Sequence, residues 1–187
     1  WKADQTDLYL APTREIKEHL ICEGTKAENI LVTGIPVRQQ FLNMDRKHLE
    51  NEKEVRRVLV MGGGLGLMPD LRRLLGKLHS MQSVQTIVIT GKNHRMYEEW
   101  VNRYEDVKVL GYTENISKYM RWADLVITKA GGITLFEILH SQVPLFVIHP
   151  FLEQEMNNAR YAVEKGFAKV VWGKHEDYIS ELEKLLN

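Results

Sequence analysis

Three glycine- and amide-rich segments hold the residues of this chain whose types and spacing could do chemistry. They are GGGLG at 62–66, KAGGITLFE at 129–137 and EQEMNN at 153–158. Glycines let the backbone approach a ligand closely, and the N-terminus of a following helix offers unpaired N–H groups to an anion. Carboxylates and amides can exchange hydrogen bonds with vicinal hydroxyl groups. Together these segments indicate a site for a phosphorylated, polyhydroxylated ligand.

Each segment also has a purely structural interpretation. The glycines at 62–66 could serve only a tight turn between a strand and a helix. Thr134 to Glu137 matches the T-x-x-E capping box, in which the glutamate caps its own helix. Gln154 and Asn158, four residues apart and on one helix face, could form part of a polar first turn that faces solvent.

Common nucleotide and metal motifs do not fit this sequence. The GxGxxG fingerprint fails because Leu67 stands where its third glycine belongs, and no acidic residue follows the next strand in VITGKN. A P-loop is disfavoured because Asn93 follows Gly91-Lys92. No HExxH, His-x-His or clustered carboxylates predict a metal site. His149 alone among the histidines falls near the expected ligand, and we interpret it as a packing or capping residue.

The overall composition narrows the class of partner and the compartment. Lys+Arg and Asp+Glu both number 25, so the formal net charge is zero, which disfavours nucleic acid. The single Cys22 cannot form an internal disulfide and favours a reducing, cytoplasmic setting. No apolar run is long enough to span a bilayer. Because the chain starts at Trp1, we expect it to be a segment of a longer protein.

Alternating strand-like and helix-like segments must position these residues. The predicted strands are Asp7–Leu10, Ile30–Thr33, Arg57–Met61, Thr86–Thr90, Val107–Leu110, Leu125–Thr128, Leu145–His149 and Ala168–Val171. The predicted helices are Thr13–Glu23, Met68–Met81, His94–Tyr104, Ile116–Trp122, Thr134–His140, Glu155–Lys165 and Glu176–Leu186. Strands such as VLVM and LVIT are apolar at consecutive positions, which indicates burial on both faces. We therefore predict an α/β, doubly wound, parallel sheet of Rossmann-like type.

A highly charged stretch at 43–54 divides the chain. It separates a leader at 1–42 from the main sheet at 55–187. In an open α/β sheet the ligand binds at the carboxyl ends of the strands, and the three segments above follow such ends.

Five motifs, in order and at matching spacing, resemble the C-terminal donor domain of the family 28 glycosyltransferases, which have the GT-B fold. They are GIPVR at 34–38, VLVMGGGLG at 58–66, GYTENI at 111–116, ADLVITKAGGITLFE at 123–137 and QEMNNA at 154–159. The chain looks most like the monogalactosyldiacylglycerol synthases and the processive diacylglycerol glucosyltransferases. It resembles the enzyme that adds N-acetylglucosamine in peptidoglycan lipid synthesis more distantly.

The resemblance implies a role for each matching residue. Tyr112 and Thr113 would hold uracil, and Glu137 would accept hydrogen bonds from the ribose hydroxyls. The diphosphate would lie against Gly63, Gly64, Gly132, Ile133 and Thr134, and Arg38 would neutralise part of its charge. The sugar or the nearby ribose would face Gln154, Glu155 and Asn158. The sequence departs from the family pattern at Leu152-Glu153, where Pro-Gly is usual, and at Met68, where a glycine is usual. Both departures bear on donor choice and turn geometry.

The resemblance further implies transfer of a hexose from a UDP-sugar to a lipid such as diacylglycerol, without cofactor or metal. The catalytic base and the acceptor site would belong to an N-terminal domain that ends at 1–42, and this domain would also meet the lipid and the membrane surface. The 187-residue chain alone would then bind donor and turn over little or nothing. Three alternatives remain: a UDP-sugar epimerase of the same fold, a non-catalytic UDP-sugar-binding subunit of a split glycosyltransferase, and a nucleotide-binding regulator.

Overall fold

The chain divides into two compact units, residues 1–38 and residues 39–187. The computed structural model describes residues 6–42, 55–62, 68, 70–173 and 175–186. The short 3-10 helix Gln39–Phe41, which belongs to the predicted leader, is part of the second unit. Its Phe41 side chain is buried.

The first unit is a β-α-β element. It consists of β1 (Tyr9–Ala11), α1 (Arg14–Cys22), a 3-10 helix (Ala27–Asn29) and β2 (Ile30–Val32). The two strands are parallel, and Thr13 caps α1 by accepting a hydrogen bond from the Ile16 amide at 3.3 Å. Leu20 of the helix packs into a small core with the strands.

A six-stranded parallel sheet forms the centre of the second unit. Its strands are β3 (Arg56–Met61), β4 (Val84–Ile89), β5 (Val107–Leu110), β6 (Leu125–Thr128), β7 (Leu145–Ile148) and β8 (Ala168–Val171). They lie in the order β5-β4-β3-β6-β7-β8, and every neighbouring pair is parallel. All four residues of β6 and of β7 are buried, as their consecutive apolar residues predict. The predicted doubly wound α/β fold is confirmed.

Helices cover both faces of this sheet. They are α2 (Leu71–His79), α3 (His94–Trp100), α4 (Ile116–Trp122), α5 (Gly132–Ser141), α6 (Glu153–Glu164) and α7 (Tyr178–Leu186). The helices α2, α3 and α7 share one apolar core with Val58 and Val60 of β3. Leu59 points to the opposite face because side chains alternate along a strand. There α4 packs against β3 and α5, and α5 packs against α6.

Five helix starts, those of α1, α2, α5, α6 and α7, differ from the sequence prediction by one to three residues, and two of them have a clear structural reason. The second-unit helix predicted from Met68 begins at Leu71, because Asp70 takes a left-handed conformation with φ 54° and ψ 35°. The helix predicted from Thr134 begins at Gly132, because Gly131 is extended and its carbonyl accepts the first helical bond, from Leu135, at 2.8 Å. Among the helices that the structure describes, none has both the length and the apolar composition needed to cross a lipid bilayer.

Candidate functional site

The strand order creates a crevice between β3 and β6. From β3 the chain continues to β4 and β5 on one side of the sheet, and then returns to place β6 on the other side of β3. Such a switch point leaves a gap between the carboxyl ends of the two strands, where open α/β sheets bind ligands. Met61 pairs with Thr128, so Gly62 and Lys129 are the first residues beyond the ladder on either side of the gap.

The start of α5 lies at this crevice and has no side-chain cap. Gly131 is its N-cap residue, with φ −72° and ψ 138°, and makes no side-chain cap bond. Thr134 is the third residue of the helix, so the capping-box interpretation of Thr134 and Glu137 is wrong. The first-turn N–H groups of α5 therefore face the crevice end of the helix without a side-chain acceptor from its N-cap.

Gly131 has no role in the fold that requires glycine. Its φ of −72° suits any residue, and a Cβ at this position would meet no heavy atom of the described residues within 4 Å. A position without a side chain and with open space around it leaves room for a ligand to approach the backbone closely. This interpretation agrees with the predicted position of a diphosphate beside Gly132, Ile133 and Thr134.

Glu137 is a buried carboxylate one turn inside α5. It is 2% exposed, whereas Ile133 on the same helix face, one turn nearer the crevice, is 60% exposed. The Glu137 carbonyl accepts a hydrogen bond from the Ser141 hydroxyl at 2.7 Å. The Glu137 carboxylate therefore belongs to the helical turn that follows the open start of α5, on the same face as the exposed Ile133.

The segment after β7 is tied to the segment after β6. Asn158 Nδ2 donates to the Ala130 carbonyl at 2.8 Å. Lys129 Nζ lies 3.9 Å from Glu155 Oε1 and 5.3 Å from the centre of the Phe151 ring. Two of the predicted sugar-facing residues, Glu155 and Asn158, thus contact the neighbouring segment, and Lys129 brings a positive charge to the crevice.

Gln154 is the third predicted sugar-facing residue, and it is more exposed than Glu155 and Asn158. It is exposed on the first turn of α6, a helix whose N-cap, Leu152, makes no side-chain cap bond. Gln154 lies one turn before Asn158 on the same face. Its amide is therefore placed at the carboxyl edge of the sheet and in contact with solvent.

Tyr112 and Thr113 follow β5, three strands away from β6. The Tyr112 ring is 64% exposed, and Lys92 Nζ lies 5.8 Å from its centre. Thr113 Oγ1 accepts a hydrogen bond from the Asn115 amide at 3.2 Å. The contacts described for Tyr112 and Thr113 lie within this side of the sheet, whereas Lys129, Glu155 and Asn158 connect the β6 and β7 ends.

Gln40 braces the β5 segment, and the sequence analysis missed it. Gln40 Nε2 donates to the Glu114 carbonyl at 2.9 Å, and the Ser117 hydroxyl donates to Gln40 Oε1 at 2.7 Å. The sequence separation of these partners exceeds seventy residues, so no local pattern announces the contact. Phe151 was likewise not predicted as a site residue, although it follows a buried strand.

Three further residues, Gly63, Gly64 and Arg38, were predicted to contact the diphosphate. Gly63 and Gly64 lie outside the described residues. Arg38 is the last residue of the first unit and is exposed. It already interacts with another residue of the chain. Its predicted share in binding a diphosphate stays a prediction. Within the described ranges no group of three His, Cys, Asp or Glu side chains could hold a metal ion.

The fold and the crevice define a Rossmann-type ligand-binding domain. The family model described as glycosyltransferase family 28 C-terminal domain matches residues 57–187. This chain therefore belongs to the glycosyltransferase family 28 C-terminal domains, and the resemblance seen in its sequence is confirmed.

Comparisons with individual proteins agree with this family. The processive diacylglycerol beta-glucosyltransferase of Bacillus subtilis (strain 168) is 34% identical over 197 residues, covering 100% of this chain and 51% of that protein. The chain thus spans about half the length of this curated relative.

Two solved structures share the fold. The glycotransferase of kitacinnamycin is 16% identical with a TM-score of 0.64, over 88% of this chain and 41% of that one. A UDP-N-acetylglucosamine 2-epimerase is 22% identical with a TM-score of 0.63, over 97% of this chain and 49% of that one. At these identities the likeness extends to the fold alone.

Proposed function

We propose that this chain binds the UDP-sugar donor of a hexosyltransferase that acts on a lipid acceptor such as diacylglycerol. The family membership and the relative from Bacillus subtilis support this proposal. Because the chain spans about half of that relative, the acceptor site and the catalytic base are assigned to the other half of the enzyme.

The observation that carries the proposal is the buried Glu137 beneath the uncapped start of α5. The N-cap, Gly131, has open space around its Cα, so a diphosphate can approach the helix start closely. Glu137, one turn further along, would accept hydrogen bonds from the two ribose hydroxyls. With this spacing an anion site and a hydroxyl site would lie next to one another, as in a nucleoside diphosphate.

The departing diphosphate is the group that this domain would stabilise. In the transfer step the acceptor oxygen bonds to the anomeric carbon, the bond from that carbon to the diphosphate oxygen breaks, and a base takes the acceptor proton. Negative charge then grows on the diphosphate. The positive end of the α5 dipole and the nearby Lys129 ammonium would stabilise that charge.

The remaining predicted residues would hold the two ends of the donor. Tyr112 and Thr113 would bind uracil, largely through backbone groups. Gln154 and Glu155 would contact the sugar hydroxyls. Asn158 would act mainly as a brace, because its amide already donates to the Ala130 carbonyl.

Exposed leucines in the first unit support its assignment to a larger enzyme. Leu10 and Leu31 of this short two-stranded parallel sheet, and Leu8 just before it, are each more than half exposed. Parallel sheets are normally covered on both faces. We therefore assign the first unit to the end of the acceptor domain, which in the cytoplasm would meet the lipid at the membrane surface.

Ligand titration of the 187-residue chain tests this function. We expect UDP and UDP-glucose to bind more tightly than ADP or NAD. Glu137→Ala should weaken UDP binding by about 1–3 kcal/mol because the ribose hydroxyls lose a charged acceptor. Glu164→Ala, which removes an exposed carboxylate at the far end of α6, is the matched control and should leave UDP affinity unchanged.

Three results would contradict the proposal. One is a preference for ADP or NAD over UDP. Another is a Glu137→Ala variant that loses thermal stability but retains UDP affinity. The third is robust sugar transfer or UDP-sugar hydrolysis by the 187-residue chain alone, since the base is assigned to the other half of the enzyme. Conversion of UDP-N-acetylglucosamine to its 2-epimer would favour the epimerase alternative instead.

A further inference from the structure

The 3-10 helix Gln39–Phe41 is anchored in the second unit. Its last residue, Phe41, is 1% exposed, and the helix packs against α5, the helix that carries Glu137. Burial of a large apolar side chain stabilises so short a helix more than its few backbone bonds do. The middle residue, Gln40, is half-buried and extends from this fixed base.

Both ends of the Gln40 side-chain amide are hydrogen-bonded. Its Nε2 donates to the Glu114 carbonyl at 2.9 Å, and its Oε1 accepts from the Ser117 hydroxyl at 2.7 Å. An amide offers a donor and an acceptor side by side, whereas a carboxylate offers acceptors alone. The two contacts therefore require an amide at position 40, and together they fix its orientation.

These contacts hold the start of α4. Glu114 precedes Asn115, the N-cap residue of this helix, and Ser117 belongs to its first turn and is buried. Asn115 makes no side-chain cap bond. Gln40 thus binds one group just before the helix and another just inside it, so it fixes the position of the helix start from a distant part of the chain.

The segment between β5 and α4 contains the two residues proposed to bind uracil. Tyr112 and Thr113 follow the end of β5 and immediately precede Glu114. The Thr113 hydroxyl accepts a hydrogen bond from the Asn115 amide at 3.2 Å, which closes a local turn. A segment attached to the sheet at one end and held by Gln40 at the other has little freedom, so its backbone groups keep one orientation.

The 3-10 helix contacts both parts of the proposed nucleoside site. It packs against α5, whose Glu137 is proposed to bind the ribose, and through Gln40 it holds the segment proposed for uracil. In the sheet, β4 and β3 lie between β5 and β6, so no ladder hydrogen bond sets the distance between these two parts. A uracil joined to its ribose by one bond requires that distance to be constant.

We propose that Gln40 is a positioning residue for the nucleoside of the donor, which holds the uracil-binding segment at the correct distance from the Glu137 carboxylate. This inference rests on the proposed donor function. It assigns a role in base selectivity to a residue outside every predicted binding segment. Loss of the two Gln40 hydrogen bonds should weaken recognition of uracil and leave the diphosphate contacts at the start of α5 intact.

Calorimetric titration of Gln40→Met with UDP, uridine and ADP, by displacement for the weaker ligands, tests the inference. Methionine is unbranched and similar in length to glutamine but makes neither hydrogen bond. We expect the Kd for UDP and for uridine to rise about five- to tenfold, and the Kd for ADP to stay within about twofold, because ADP has no uracil contact to lose. Gln39→Met alters the exposed neighbouring glutamine of the same 3-10 helix, and this control should change none of the three values.

Two further substitutions separate positioning from stability, including the case in which Gln40→Met fails to fold. Ser117→Ala removes one of the two bonds and leaves the Glu114 contact, so UDP affinity should fall by about twofold. Gln40→Glu keeps an acceptor for Ser117 but sets an oxygen against the Glu114 carbonyl, so UDP affinity should fall at least as far as in Gln40→Met. In the double variant Gln40→Met/Ser117→Ala the losses should not add, because the first substitution already removes the Ser117 bond.

The outcomes distinguish failure of this role from failure of the proposed function. If the unsubstituted chain does not bind UDP, the donor function is wrong, and the positioning role with it. If it binds UDP, and Gln40→Met and Gln40→Glu bind UDP equally tightly, the positioning role alone is wrong. Equal weakening of UDP, uridine and ADP would also overturn that role, because it would indicate a general loss of structure.

Discussion

The carboxyl ends of β4 and β6 have the same local sequence and opposite surroundings. Both strands run Val-Ile-Thr into a glycine-containing turn and a helix, and both threonines, Thr90 and Thr128, are buried. Thr90 donates through its hydroxyl and its backbone N–H to the Leu110 carbonyl, at 3.2 and 2.9 Å. Thr128 Oγ1 has no hydrogen-bond partner among the described residues.

The helices that follow show the same difference. Asn93 caps α3 by accepting a hydrogen bond from the Met96 amide at 3.0 Å, whereas Gly131 gives α5 no side-chain cap. The polar groups at the end of β4 are therefore satisfied within the fold, whereas at the end of β6 the Thr128 hydroxyl has no described partner and α5 has no side-chain cap. Unsatisfied buried polar groups are rare in folded proteins, so the Thr128 hydroxyl beside the β3–β6 crevice agrees with the proposed donor site there.

Converting the α5 start into a capped start should have the largest effect. Gly131→Asp would supply a side-chain cap and raise the free energy of unfolding by a few tenths of a kcal/mol. Its carboxylate would repel the diphosphate, and we expect UDP affinity to fall by about 100-fold or more. Chemical denaturation and UDP titration measure the two effects.

Gly131→Ala controls for the added side chain, since it adds one methyl group without charge in open space. It should fold normally and lose less affinity than Gly131→Asp. An aspartate variant that binds UDP as well as the unsubstituted chain would show that the α5 start does not meet the phosphates.

Removing the N-cap side chain of α3 should have an effect of intermediate size, and that effect should fall on stability alone. Asn93→Ala leaves the Met96 amide without its acceptor, so unfolding should become easier by about 1 kcal/mol. UDP affinity should stay unchanged because the β4 end is not proposed to contact the donor. Asn93→Ser, which retains a capping oxygen, should recover most of the stability. A variant with intact stability and weakened UDP binding would contradict the contrast between the two strand ends.

The smallest effect is expected from the threonines themselves. Thr90→Val removes a satisfied hydroxyl and should reduce the free energy of unfolding by about 1 kcal/mol. Thr128→Val removes a hydroxyl that has no described partner and should be neutral or slightly stabilising. Urea denaturation of both variants measures the difference. Equal losses would mean that Thr128 has a partner in the fold comparable to Leu110.

Local sequence predicted the elements well and their ends less well. All eight predicted strands and all seven predicted helices are present, because apolar runs and helical spacing are properties of neighbouring residues. The start of α2 was misplaced because Asp70 is left-handed and its carboxylate accepts a hydrogen bond from Tyr178, 108 residues away. The start of α5 was misplaced because a T-x-x-E pattern resembles a cap wherever it occurs.

The predicted site residues that the structure describes in the second unit lie near the carboxyl edge of the sheet, and local sequence does not separate their roles. Glu137 was open to a capping interpretation until the position of Gly131 as the N-cap of α5 excluded that. Asn158 was predicted to face the sugar, and it braces Ala130. Gln40 was not predicted, since it acts on residues distant in the chain.

By itself, the sequence determined that this chain is an α/β domain of the family 28 glycosyltransferase type, with glycines, a carboxylate and amides at strand ends. These are matters of composition, periodicity and motif, which are local. Only the tertiary structure decided that β3 and β6 are neighbours, that Thr90 has a partner and Thr128 has none among the described residues, and that Gln40 braces the segment after β5. Those facts depend on which distant groups meet, because a hydrogen bond or a buried charge is stabilised by its surroundings and not by its own residue type.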